Sequence, residues 1–142
     1  GVDVTIRIAA LGDSSLVARK LATARVALAA APAYIAQHGN PNSLIELSRH
    51  KCLAYGHSTL LAKWQLQSDG AMVSVPIASS MCCNNGDVLR AAALTGHGIV
   101  NLPTFLIGPD IAAGRLVRVL PKNSPAPLGI HALYAPNKFL AA

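Results

Sequence analysis

Apolar and polar residues alternate at the start of the chain, with Val2, Val4, Ile6 and Ile8 set against Asp3, Thr5 and Arg7, the period of a strand with one buried face. Leu11–Ser15 is a polar turn, followed by two apolar stretches, 16–21 and 26–30, around a short connector at 22–25. Both stretches read as strands, although their alanines leave a helix open. Pro32 suits the first position of a helix running to His38, where Gly39 stops it. Ser43 with Glu46 three residues on has the spacing of a capping box and predicts a second helix. Cys52–Tyr55 is a short strand running into a loop at Gly56, His57 and Ser58. Trp64–Leu66 and Met72–Val75 alternate around Asp69-Gly70, a hairpin signal.

The second half is arranged around Ser80-Met81-Cys82-Cys83-Asn84-Asn85-Gly86-Asp87 and the Ala/Leu-rich run after it. Strand-forming residues give way to a cap, an acid in the first turn, a helix, and a glycine stop at Gly96. Asn85 is the expected N-cap, and two readings stand: Asn85 and Asp87 merely cap the helix, or the orphan N–H groups of its start also seat a ligand oxygen or anion. A short strand at 98–102 follows, then a helix over 103–113 with Gly108-Pro109 as its weak point, a strand at 116–120, a proline-rich loop at 121–127 and a last strand at 130–134. Strands alternating with helices, plus a hairpin, predict an α/β domain with mixed sheets.

Composition narrows the class. At 142 residues, 52% hydrophobic and 13% charged, the chain has the length of one ordinary domain and material for a substantial core. With 4% aromatic residues, that core must be built from Ala, Leu, Val and Ile. No apolar run approaches the roughly 20 residues of a membrane helix, so a soluble, cytoplasmic protein is expected. The formal charge is +6, but the twelve cations are scattered without aromatic interleaving, unlike a nucleic-acid face. Three cysteines, two adjacent, fit neither a zinc site nor a disulfide framework. The five histidines show no metal-ligand pairing, so no metal or cofactor is expected. Opening inside a strand and closing on Phe139-Leu140-Ala141-Ala142 points to a piece of a larger protein.

The order of Asp3-Val4-Thr5-Ile6-Arg7-Ile8, Asp13-Ser14-Ser15 through Leu21, Ala31-Pro32-Ala33-Tyr34-Ile35, Gly39-Asn40-Pro41, His50–Tyr55, Trp64, Asn84–Asp87, Gly96-His97-Gly98-Ile99, Leu102-Pro103, Ala112–Val117 and His131–Tyr134 resembles the effector-binding domain of LysR-type transcriptional regulators. The resemblance covers essentially the whole chain. It implies a fold like that of the type 2 periplasmic binding proteins, with crossover strands at 25–30 and 130–134. Residues 31–129 would form a nearly complete second lobe, and 1–24 with 135–142 part of a first lobe. A small-molecule effector, a carboxylate or a neutral polar ligand, would lie between the lobes. It would be lined by Tyr55, Gly56, His57 and Ser58, by Asn84, Asn85, Gly86, Asp87 and Val88, and by Ser14 and Ser15 from the first lobe. Ala9-Ala10 departs from the glycine and proline that relatives often carry there, which weakens the inference for Ser14.

The resemblance further implies a homo-oligomer that reaches DNA through a winged helix-turn-helix absent from these residues, and no catalysis. Two alternatives are a solute-binding protein of the same fold and a thiol enzyme or redox sensor using Cys82, Cys83 or Cys52 with His57 or His97.

Overall fold

Val26–Ala30 (β3) is apolar at every position and buried at every position, because it runs through the middle of a sheet covered on both faces. In this computed structural model, which describes residues 4–9, 17–56 and 62–134, the chain divides into two compact units, residues 1–25 with 127–142 and residues 26–126. In the first unit, Val4–Ala9 (β1) and Val17–Ala24 (β2) flank Leu128–Tyr134 (β10) in a three-stranded antiparallel sheet. The register pairs Ile6 with Ala132 and Arg19 with Ala132 from the other side, with an irregularity at Ile130/His131. Of the predicted site residues, Ser14, Ser15, His57 and Ser58 lie outside the described residues.

The second unit is built on a five-stranded mixed sheet. Its strands are β3, Cys52–Tyr55 (β4), Ser79–Cys83 (β7), Ile99–Pro103 (β8) and Val117–Val119 (β9), in the order β7-β4-β8-β3-β9. β4 runs parallel to β7 and β8, whereas β3 is antiparallel to both of its neighbours. Lys63–Ser68 (β5) and Ala71–Pro76 (β6) form a separate antiparallel hairpin. Its two-residue turn has Asp69 at φ 49° and Gly70 at φ 83°, the primed turn that matches strand twist.

The sheet sorts β3 by parity. Ala27 and Ala29 face one core with Leu53, Val100, Leu102 and Ile107, and with Leu89 and Ala93 of the helix Gly86–Leu94 (α2). Leu28 and Ala30 face a second core with Tyr34 of the helix Pro32–His38 (α1), Leu47, Cys52, Trp64, Leu66 and Ile99. Alanine on the α2 side permits close helix-to-sheet packing, which is how a chain poor in aromatics fills its interior. On β5, Trp64 and Leu66 point inward and their neighbours outward, as the alternation predicts.

Two local expectations change. The segment after Ser43 forms a short 3₁₀ helix, Leu44–Arg49, in which the Ser43 side chain makes no cap bond and Glu46 instead accepts from the backbone N–H of Asn42. The helix Thr104–Ala112 (α3) passes through Pro109 without a break. Phe105, the residue whose carbonyl proline leaves without its helical donor, is exposed, so water can take the place of the lost bond.

Candidate functional site at the start of α2

The parallel pair β4 and β7 ends in step: Tyr55 is opposite Cys83, and Gly56 N–H donates to Cys83 O at 3.0 Å. The chain leaving β7 passes Asn84 and enters α2, so the positive end of that helix stands at the carboxyl ends of two parallel strands. This is the edge of an α/β sheet where side chains converge without backbone in the way. Asn85 is extended, at φ −125° and ψ 114°, and its Oδ1 accepts from Asp87 N–H at 2.9 Å and Val88 N–H at 3.3 Å, while Leu89 N–H closes on Asn85 O at 3.1 Å.

Asn85 thus takes for itself two of the N–H groups that the sequence left open for a ligand. What it leaves at the surface is the helix dipole and its own amide nitrogen. Asp87 and Val88 are exposed in the first turn of α2, and Tyr55, opposite Cys83 at the end of β4, is 66% exposed. Tyr55, Gly56 and Asn84 to Val88 therefore share one end of the second unit.

The cysteines divide by environment. Cys52 is fully buried, and burial pushes its thiol up to about 12, which keeps it a thiol. Cys82 and Cys83 are both free and half-buried. Cys83 packs against the α2-side core, and Cys82 Sγ lies 4.0 Å from where a Cβ on Gly56 would sit. Among the described residues, no three His, Cys, Asp or Glu side chains cluster as a metal site.

Behind this end lies an ion cluster that sequence reasoning missed. Asp110, fully buried on α3, accepts from Arg90 Nε at 2.6 Å, Arg90 Nη2 at 2.8 Å and Arg115 Nε at 2.9 Å. The Arg90 hydrogen bonds, with help from Arg115, hold the Asp110 carboxyl below its ordinary range against the opposing effect of burial. Arg90 lies on α2 and Asp110 on α3, so the cluster ties the two helices together. The one signal in the sequence was an acid inside an otherwise apolar helical stretch, TFLIGPDIA.

The LysR substrate-binding domain matches the chain over residues 1–142. The regulator CrgA of Neisseria meningitidis serogroup B is 37% identical over 87% of this chain and 41% of its own length. The structure of CrgA, a LysR-type transcriptional regulator, superimposes with a TM-score of 0.80 at 34% identity, over 97% of this chain and 47% of that one. The regulatory domain of AphB from Vibrio vulnificus, treated with cumene hydroperoxide, gives a TM-score of 0.75 at 35% identity, over 94% of this chain and 67% of that one. The curated relatives most similar to the chain are transcriptional regulators, and the chain spans only 48% and 41% of the first two. Among the described residues no helix is long and apolar enough to cross a membrane. With the match running from end to end and the α/β sheets superimposing on regulators, the chain belongs to the LysR substrate-binding domain family.

Proposed function

We propose that this chain is the ligand-sensing part of a LysR-type transcriptional regulator acting in the cytoplasm as a homo-oligomer. A small-molecule effector binds at the start of α2 beside Tyr55 and Gly56. Its preference for one conformation of the regulator shifts the population of conformations, and the shift is relayed to a winged helix-turn-helix domain on DNA. The observation that carries the reading is the capped, positive end of α2 standing at the carboxyl ends of β4 and β7 with an exposed tyrosine next to it. A carboxylate suits the dipole, a ring suits Tyr55, and the net charge of +6 favours anions at longer range.

The test is a thermal-shift screen of small organic acids and aromatic metabolites against the chain and its Tyr55→Ala variant. A ligand selective for the folded state raises the melting temperature by mass action. Tyr55 is exposed, so the variant should melt like the parent without ligand and lose the ligand's stabilisation. Hits equally effective on Tyr55→Ala and on Asn85→Ala would move the site elsewhere.

A second reading, thiol sensing, draws on Cys82 and Cys83 at the same end and on the relative studied after cumene hydroperoxide treatment. Oxidation of Cys82 or Cys83 by cumene hydroperoxide, read by peptide mass and absent from Cys52, would support it.

A further inference from the structure

Tyr34 is the largest fully buried side chain in the second unit, and its hydroxyl joins three elements. It lies on α1, accepts from Lys51 N–H at 3.0 Å, and stands 2.7 Å from His50 Nδ1. His50 ends the 3₁₀ helix, its own N–H bonded to Leu47 O at 3.1 Å. Lys51 leads into β4, and its carbonyl accepts from Ile99 N–H of β8 at 2.8 Å. The hydroxyl carries a single proton. The arrangement that gives that proton an acceptor donates it to Nδ1, with His50 the neutral ring protonated on Nε2.

A proton arriving on Nδ1 would set N–H against O–H. Tyr34 would then have to accept from both His50 and Lys51, and its own proton would lose its acceptor in a core formed by Leu28, Leu47, Cys52 and Ile99. The charged and titratable neighbours divide. His38 stacks on the Tyr34 ring with centroids 4.5 Å apart and acts on His50 as a like charge, Glu46 acts in the opposite sense, Arg49 and Lys51 flank it in the chain, and Cys52 is a buried thiol. Burial is the largest influence and favours the neutral ring, so His50 gains its proton below the ordinary histidine value of 6.5.

We propose that Tyr34, His50 and Lys51 form an acid-sensitive latch, closed while His50 is neutral, that ties α1 to the start of β4 and opens when His50 takes a proton. The unfolded chain binds that proton more readily than the folded one, so the latch's stabilisation is complete above 6.5 and is lost as the pH falls below it. One such site changes the folding constant by at most about tenfold per pH unit. The latch is independent of what binds at α2, and it would make the strand that ends at Tyr55 responsive to acidity.

The test uses the full chain, with ¹⁵N-histidine NMR to read the ring and hydrogen exchange to read the Lys51 amide. At about pH 7.5 His50 should be the Nε2–H tautomer. As the pH falls below 6.5 the Lys51 protection factor, corrected for intrinsic exchange, should fall by at most about tenfold per pH unit and level off once His50 is protonated in the folded chain. His50→Gln should abolish that fall and His38→Gln should keep it. An Nδ1–H tautomer at neutral pH, a protection factor that stays constant, or a fall that survives in His50→Gln would each overturn the latch. Should His50→Gln not fold, the parent chain still decides: a Lys51 protection that keeps falling after His50 has become protonated, or that falls while His50 stays neutral, refutes it.

Discussion

Replacing Asn85 with alanine and with aspartate separates the two jobs assigned to the start of α2. The alanine variant removes an acceptor that serves one good bond at 2.9 Å and a weaker one at 3.3 Å. Loss of such a cap costs about 1 kcal/mol, equivalent to a fall in melting temperature of about 2–4 °C for a chain of this size. Aspartate keeps the acceptor and adds a charge that the helix dipole stabilises by about 0.3–1 kcal/mol. Asp87 in the same turn opposes it by a like-charge repulsion of less than about 1 kcal/mol in water, so the variant should melt within a degree or two of the parent. A ligand carboxylate at the same place meets a repulsion of about 1 kcal/mol in water, rising to about 4 kcal/mol in a partly shielded site at about 4 Å. Affinity for an anionic effector should therefore fall at least about fivefold. Urea denaturation measures the first pair of numbers and calorimetric titration the second. An aspartate variant that keeps its stability and binds the same carboxylate undiminished would refute the anion seat, whereas one that melts early would refute the capping geometry.

Three further outcomes follow from the packing. Leu89→Ala, which empties a fully buried place between α2 and β3, should cost about 2–5 kcal/mol in chemical denaturation, far more than Val88→Ala on the exposed side of the same turn. Gly98→Ala would bring a Cβ to 2.5 Å from Lys51 O at a backbone φ of 156°, so it should lower the melting temperature more than Gly114→Ala, where a Cβ meets nothing within 4 Å. Asp110 contributes stability that is present above the ordinary carboxyl value of 3.8 and is lost as the pH falls through its lowered folded value. The Asp110→Asn variant should be the less stable at pH 7 and should show a shallower loss on the acid side, and equal acid slopes would show that the carboxylate is not held by Arg90 and Arg115.

The parts of this fold that were legible in the sequence are those decided by neighbours in the chain. Asp69-Gly70 specifies its turn by backbone preference alone, and Asn85 caps α2 with donors two and three residues on. The Trp64/Leu66 alternation is likewise a property of one strand. What was hidden depends on distance. Arg90 and Asp110 are 20 residues apart, and Arg90 read as one more scattered cation because nothing local reveals that it reaches back onto a buried acid. The Tyr34–His50 pair spans 16 residues in the same way. Local rules also misled where tertiary context won. Ser43 and Glu46 had capping-box spacing, but the segment tightened to 3₁₀ geometry, with Leu47 buried in its last turn, and the glutamate closed on Asn42. Gly108-Pro109 was the expected weak point of a helix over 103–113, yet α3 continues through it, the cost of Pro109 falling on the exposed Phe105 side.

The parity of β3 sets where this domain can change length. Its alternate residues serve two different interiors, small alanines toward the helices and Leu28 toward Tyr34 and Trp64. Inserting or deleting one residue within Val26–Ala30 would exchange the two sets, forcing a leucine between α2 and the sheet and leaving a void opposite. The hairpin turn at Asp69-Gly70 carries no such double duty, whereas the loop from Pro121 to Ala126 is tied to β5 by Gln67 N–H donating to Ser124 O and Asn123 Nδ2 donating to Gln67 O. Divergence in chain length among related domains should therefore accumulate at the hairpin tip and spare β3, so that insertions can be grafted there while the central strand keeps its residue count.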